Sequence, residues 1–385
     1  MTARVCIVGA GPVGVVAAIA CARKGMRVTL FEAERQIDRS PRAATTHPST
    51  LEMLAELGLL EEFQSLGLVA RYFQFWDGAT KTLVAEFDHE VLRGETPYPY
   101  VVQTEQHKLS EIGLRRLSAI SNAEVRLGTS VTGVAQEAGS VRVTVAGSGG
   151  EEQHAFDYVI GCDGGRSTVR KSLNIDFEGY TWPERFLVLT TLFDFQSALG
   201  CCSRSYISDP EEWTNLFKVT GDDLKGRWRA VFPARENETD DEAFSEGSVR
   251  RRLRKLCEEH PMELVAHRNI YRVHQRVAQS FRRGRVFLAG DAAHVKIRSE
   301  ASALTAASTT RWSSPKRWTA SRAGRRARNC SIATSGAGGR STSSSCSSRP
   351  SRTRKGWRSA TRGCGKPIST SCGAPSPRPR RTSGS

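Results

Sequence analysis

The chain has 385 residues, enough for two or three domains with a buried core. Its formal charge of +16 would suit a nucleic acid or membrane surface, but residues 296–385 hold 20 of the 56 Lys and Arg and one acid, Glu300, leaving residues 1–295 with 36 bases, 39 acids and a net −3. The sequence has no apolar run of 18 residues, no charged-then-apolar leader, and ten cysteines without a CxxC pair or metal-ligand spacing, which argues against a membrane span, a disulfide framework and a metal site, and for a soluble cytoplasmic protein with free thiols.

Residues 4–8 (Arg-Val-Cys-Ile-Val) are a short apolar run closed by glycine, the pattern of a buried parallel strand. Residues 12–24 carry small and apolar side chains suited to a helix lying close on a sheet, with Gly25 as its stop. A strand over residues 27–32 completes a βαβ unit. Leu51, Leu54, Leu57 and Leu60 predict a helix over 49–63, and residues 107–120 predict another. Residues 125–145 alternate as antiparallel strands do. Residues 157–161 read as a buried strand, 186–195 and 227–233 as strands of a second sheet, and 285–289 as a strand of the first layer. The expected organisation is α/β: a Rossmann-like nucleotide-binding domain over 1–176 with a β insertion at about 69–102, an inserted mixed β-sheet domain over 177–280, and a return to the first domain over 281–295.

Three motifs carry the chemistry. The first is Gly9-Ala10-Gly11-Pro12-Val13-Gly14, set between a strand and a helix. Its glycines permit a tight turn, a close approach of backbone to phosphate, and close helix–strand packing, while the helix N-terminus favours an anion. Glu32 ends the next strand, where an acid accepts both ribose hydroxyls and repels a 2′-phosphate. The second motif spans residues 157–170 and centres on Asp163-Gly164. The third spans 284–294 and contains Gly290-Asp291.

In this order the three motifs resemble the flavoprotein aromatic hydroxylases, single-component FAD-dependent monooxygenases such as p-hydroxybenzoate and 3-(3-hydroxyphenyl)propionate hydroxylases, over nearly all of residues 3–295. The resemblance implies an FAD domain of the glutathione-reductase type. It implies that Gly9 to Gly14 hold the pyrophosphate, Glu32 the adenosine ribose, and Asp291 the ribityl chain, with Asp163 and Gly164 bridging the pyrophosphate and the path of NAD(P)H. Arg42 matches the family's flavin-contacting arginine and Gln103 a glutamine beside the ribityl chain. An arginine can neutralise a diphosphate and an amide can pair with sugar hydroxyls. A second GxGxxG fold is missing, which favours transient NAD(P)H over a resident nicotinamide domain. The implied reaction is hydroxylation of a small aromatic substrate by NAD(P)H and O2 through a flavin hydroperoxide. Tyr206 and His274 are candidates to polarise a substrate hydroxyl, and Arg185, Arg204 or Arg229 to pair with a carboxylate. No motif places them, and Tyr206 reads as strand and His274 as surface loop.

After Val295 the sequence changes character: residues 296–385 contain 21 Ser, 16 Arg, one Leu and no Val, Phe, Tyr or Met. Such a composition cannot offset ordering entropy by burial, so a disordered tail is expected. The family's proline, glycine-rich turn and helix are missing there. Shifting the reading frame by one base from Lys296 permits the codons to spell DPFGGFGPNSGIHDAVEL, which restores all three, so the tail reads as out of frame and the chain as a hydroxylase that is inactive if the flavin site stays incomplete. Two other readings stand beside this one. The same scaffold serves another FAD-dependent reaction, halogenation or dehydrogenation, against which the Asp163-Gly164 motif weighs. Alternatively the basic tail makes a non-enzymatic nucleic-acid binder, against which the lack of interleaved aromatic residues weighs.

Overall fold

Apolar side chains on both faces of a strand demand cover on both sides, and the first layer is built from such strands. The computed structural model of the chain describes residues 2–295. Its six-stranded sheet runs in the order Arg282–Arg283, Val286–Leu288, Tyr158–Gly161, Arg4–Val8, Arg27–Phe31, Ala123–Arg126. All neighbours are parallel except the first pair. Val5 and Ile7 face the helices Pro12–Arg23 and Gln106–Ser118 in one core cluster, whereas Cys6 and Val8 face the opposite cluster beneath the antiparallel strands Ser130–Gln136, Val141–Gly147 and Gly150–Phe156. The two helices meet at Gly113, where a Cβ would stand 2.6 Å from Val15 Cβ.

A second, eight-stranded sheet runs His294–Val295, Val265–Ala278, Phe177–Thr191, Arg227–Pro233, Thr214–Val219, Arg204–Ser208, Tyr72–Asp77, Thr82–Asp88. It is mixed, because Arg204–Ser208 lies parallel to Tyr72–Asp77 while the other pairs are antiparallel. One face is packed by Leu187, Leu216, Trp228 and Phe232 against Val249 and Leu253 of the helix Glu246–Leu256. Arg252 of that helix is fully buried and held by Glu212 and Glu238, each at 2.7 Å. A three-stranded sheet, separate from that of residues 130–156, joins Thr45–Thr46, Val101–Gln103 and Leu68–Ala70.

Several expectations change. The helix expected over 49–63 is two helices, Pro48–Glu56 and Leu60–Ser65, because Gly58 turns the chain at φ +63°. The strand expected over 186–195 extends earlier, as Phe177–Thr191, and residue 195 instead opens the helix Phe195–Leu199. Residue 125 lies in a parallel strand of the first sheet. His274 is in the long strand Val265–Ala278 and not in a loop. The hairpin within 69–102 hydrogen-bonds to the eight-stranded sheet, so this part of the insertion belongs structurally with residues 177–278. The stretch 281–295 serves both sheets, since His294–Val295 pairs with Val265–Ala278. Among the described residues no helix is long and apolar enough to cross a membrane. Cys6, Cys21, Cys162, Cys201, Cys202 and Cys257 are free thiols. The expected disordered, out-of-frame tail lies outside the described residues.

Candidate functional site

The glycines of the first motif answer different demands. Gly9 has φ +100°, and a Cβ there would stand 2.6 Å from the Cys162 carbonyl oxygen. A Cβ on Gly14 would overlap the Gly9 carbonyl oxygen at 1.8 Å. Gly11 differs: it opens the helix Pro12–Arg23 in an extended conformation at an ordinary φ of −61°, no side chain caps it, and a Cβ there would meet no atom of the described residues within 4 Å. The first two are required by the protein's own packing, while the third faces open space at a helix N-terminus. Glu32 reaches back to this turn, its carboxylate accepting from Ala10 N at 2.7 Å and Glu34 N at 3.0 Å.

The other two motifs are drawn to the same place. A Cβ on Gly9 would lie 3.1 Å from Asp163 Cα, and one on Gly290, whose φ is +59°, would lie 3.0 Å from Val13 Cγ2. Asp163 Oδ2 accepts from Val169 N at 3.1 Å, but its Oδ1 is buried and finds no hydrogen-bond partner among the described residues. Asp291 sits in the 3-10 turn Gly290–Ala292 and is exposed. Arg170, which closes the second motif and to which the sequence assigned no role, ties it to the third: its guanidinium donates to Ala292 O at 3.0 Å and Gly165 O at 2.7 Å and lies 3.8 Å over the Phe177 ring. An open anion-favouring helix end, two carboxylates and an unsatisfied buried oxygen fit the pyrophosphate and sugar hydroxyls of FAD.

Arg42 and Gln103 stand where this layer meets the eight-stranded sheet. Arg42 is exposed and pairs with Asp38 at 2.9 Å. That hydrogen bond, with those from Ser40, holds the Asp38 carboxyl down at about 2. The Arg42 carbonyl accepts from Arg229 Nη1 at 2.8 Å. Gln103 is fully buried, donating to Ser203 O at 2.7 Å and accepting from Thr45 Oγ1 at 3.4 Å. These bonds aim one face of the sheet at the Arg42 loop. On that face the strand register sets Arg204, Phe217, Arg229 and Thr190 in one row and Tyr206, Asn215, Val231 and Val188 in the next. Arg204 Nε donates to the Tyr206 hydroxyl at 3.0 Å, and the Tyr206 ring stacks on Phe75 at 5.2 Å. His274 and Arg185 do not join this group. His274 is exposed and bonded to Thr181 Oγ1 at 2.9 Å, and Arg185 is engaged by Asp240 and the Glu238 carbonyl. Among the described residues no group of three His, Cys, Asp or Glu is placed to hold a metal ion.

Comparison with known proteins agrees with this geometry. Residues 2–302 match the family model described as FAD binding domain. The chain is 34% identical over 297 residues to para-nitrophenol 4-monooxygenase of Pseudomonas sp. (strain WBC-3), covering 75% of this chain and 71% of that protein. It is 36% identical over 301 residues to 6-hydroxy-3-succinoylpyridine 3-monooxygenase of Pseudomonas putida (strain DSM 28022 / S16), covering 77% and 74%. The crystal structure of p-nitrophenol 4-monooxygenase from Pseudomonas putida DLL-E4 superposes with a TM-score of 0.68 at 33% identity, covering 77% of this chain and 73% of that one. With its three motifs gathered around one nucleotide turn, the chain belongs to the FAD-dependent aromatic monooxygenases.

Proposed function

We propose that this monooxygenase acts in the cytoplasm with NAD(P)H and O2 on a hydroxyl-bearing six-membered aromatic ring, seated against Tyr206, Phe217 and Arg229. The partition of the two sheet faces carries this reading. The far face is filled by Trp228, Phe232 and the helix Glu246–Leu256. The near face, bonded to Arg42 and Gln103, holds aromatic rings, two guanidinium groups and a tyrosine hydroxyl. The relatives named for para-nitrophenol and 6-hydroxy-3-succinoylpyridine support the ring class.

Bound FAD supplies the redox chemistry, taking a hydride from NAD(P)H and passing one oxygen atom of O2 to the ring. The turn from Gly9 to Gly14 and Glu32 would hold its pyrophosphate and ribose, with Asp163, Gly164, Gly290 and Asp291 around them and Arg42 and Gln103 toward the ring system. The remaining tasks belong to the sheet. Because Tyr206 accepts from Arg204, its own proton is directed away from Arg204, toward a substrate hydroxyl. The charges of Arg204 and Arg229 favour the phenolate, whose ring is the more electron-rich, and pair with an acidic substituent. Phe75 and Phe217 bury the ring's faces and displace water. The test is NAD(P)H oxidation by the FAD-loaded protein, expressed with the frame after Val295 restored by one base, with and without 4-nitrophenol, under labelled O2. Stimulated oxidation with label in the ring product is expected. Oxidation without label in any aromatic product overturns hydroxylation.

We also propose that residues 296–385 are translated out of frame, on the strength of the proline, glycine turn and helix start that a one-base shift restores after Val295. Sequencing the coding DNA decides it, and a gene with no such alternative frame overturns it.

A further inference from the structure

A buried charged pair that the proposed reaction does not use lies just beyond Gln103. Glu105 precedes the helix Gln106–Ser118, and Lys108 lies in its first turn. Their side chains are 10% and 6% exposed and 2.8 Å apart. Neither serves its own helix end, because Glu105 makes no capping bond there. Both instead grip the turn joining Thr214–Val219 to Arg227–Pro233. Lys108 Nζ donates to Thr220 Oγ1 and to Gly221 O, each at 2.8 Å, and Gly221 N donates to Glu105 Oε1 at 2.9 Å. Thr220 Oγ1 donates in turn to Leu66 O at 2.7 Å. Lys108 thus spends its three protons and Glu105 uses both oxygens, which is how a charged pair survives removal from water.

The turn is tied a second time at its rim. Asp222 accepts from His107 Nε2 at 3.2 Å and pairs with Arg39 at 3.6 Å, three residues before Arg42. Burial works to raise the Glu105 carboxyl, but the hydrogen bond and charge of Lys108, with a contribution from Arg229, outweigh it and leave the group below its ordinary value. Arg229 is therefore within the field of the pair, and it begins two residues into the strand that leaves this turn.

A buried ion pair is a weak source of stability and a good source of register, because the charges are satisfied in one arrangement only. We propose that Glu105 and Lys108 are positioning residues: a pin that fixes the 220–222 turn on the FAD-binding layer and thereby sets Phe217 and Arg229 over the Arg42 loop. The assignment of Phe217 and Arg229 to substrate rests on the reading of the sheet face given above, whereas the pin itself does not.

The test uses the full chain carrying Glu105→Gln together with Lys108→Met, which removes both charges and leaves no uncompensated one. Amide exchange measured by mass spectrometry reports the turn, and a titration with 4-nitrophenol reports the site. The pin predicts a melting temperature at or above that of the parent, exchange at least tenfold faster confined to residues 214–233, and about tenfold weaker 4-nitrophenol binding. Thr220→Val removes one link without touching either charge, and it should move exchange and binding in the same direction by about threefold. Unchanged exchange in a folded double variant overturns the proposal, as does unchanged exchange in Thr220→Val if the double variant does not fold. Failure of the parent chain to bind 4-nitrophenol with FAD present would instead count against the substrate face, and the exchange result would still decide the pin.

Discussion

Glu32 accepts a hydrogen bond from the backbone of Ala10 at 2.7 Å, so the acid that follows the second strand also braces the glycine turn after the first. Neutralising it acts on two properties at once. Glu32→Gln should weaken FAD binding about tenfold, and it should cost about 1 kcal/mol of stability by turning a charge-assisted bond into an ordinary one. Flavin fluorescence titration and urea unfolding measure the two effects separately. An unchanged FAD affinity would remove Glu32 from the ribose site.

Gly9 and Gly11 should part company on substitution. Gly9→Ala forces a side chain into φ +100° and against the Cys162 carbonyl, and should destabilise the fold by roughly 2–4 kcal/mol. Gly11→Ala meets no atom within 4 Å at an ordinary φ, so the protein without FAD should unfold at the parent's denaturant midpoint. Its FAD affinity should nevertheless fall by tenfold or more, because the methyl group takes the space a phosphate needs. Equal loss of stability in both variants would show that the Gly11 side is already filled.

Tyr206→Phe keeps the ring stacked on Phe75 and removes only the hydroxyl. Expected are a parent-like melting temperature and a roughly 10- to 100-fold slower substrate-stimulated hydroxylation. Bound 4-nitrophenol should also shift toward its protonated form in the visible absorbance. Parent-like turnover in this variant would leave the polarising role without a residue.

Acid sensitivity should reside in part at Glu238. Burial favours its neutral form, but hydrogen bonds from Arg252, Ser248 and the Arg235 backbone prevail and hold it at about 2, against an ordinary 4.5. A depressed carboxyl contributes stability fully above its unfolded value, and the contribution is lost as pH falls through the folded one. Its share, on the order of 2–3 kcal/mol, should therefore disappear between about pH 4.5 and pH 2. Unfolding midpoints of parent and Glu238→Gln compared across that window should converge at the acid end. A constant difference would assign the slope elsewhere.

Restoring the alternative frame after Val295 should change flavin retention more than any point substitution. A gene corrected by one base at that position should yield a yellow protein that holds FAD through gel filtration, measured by its absorbance spectrum beside the parent. Equal flavin content in the two proteins would show that the segment after Val295 does not contribute to the site.

Local chemistry made the nucleotide-binding layer readable. A glycine with positive φ, a buried five-residue run and an acid at a strand end are short-range requirements, so Gly9, Gly11, Gly14 and Glu32 announce themselves in sequence, and the Asp163 and Gly290 turns follow the same logic. The membership of the eight-stranded sheet was not readable in this way. Its hairpin Tyr72–Asp77 and Thr82–Asp88 pairs through Tyr72–Asp77 with Arg204–Ser208, more than a hundred residues away, and nothing in a strand's own alternation names its partner. The same limit governs the side chains. Tyr206, His274, Arg185 and Arg229 look alike as polar residues in strand-forming sequence, and only the register, with the bonds from Arg229 to Arg42 and from Gln103 to Ser203, separates those facing the FAD layer from those turned to solvent or to other partners. Glu105 and Lys108 gave no signal at all, because the 220–222 turn that takes up both side chains lies more than a hundred residues away in the chain. Sequence by itself determined the nucleotide turn, since that rests on backbone geometry encoded locally, and the resemblance of its three motifs to the aromatic hydroxylases implied FAD and the reaction class. Tertiary structure decided which side chains share the sheet face turned to the Arg42 loop, since that depends on contacts between segments far apart in the chain.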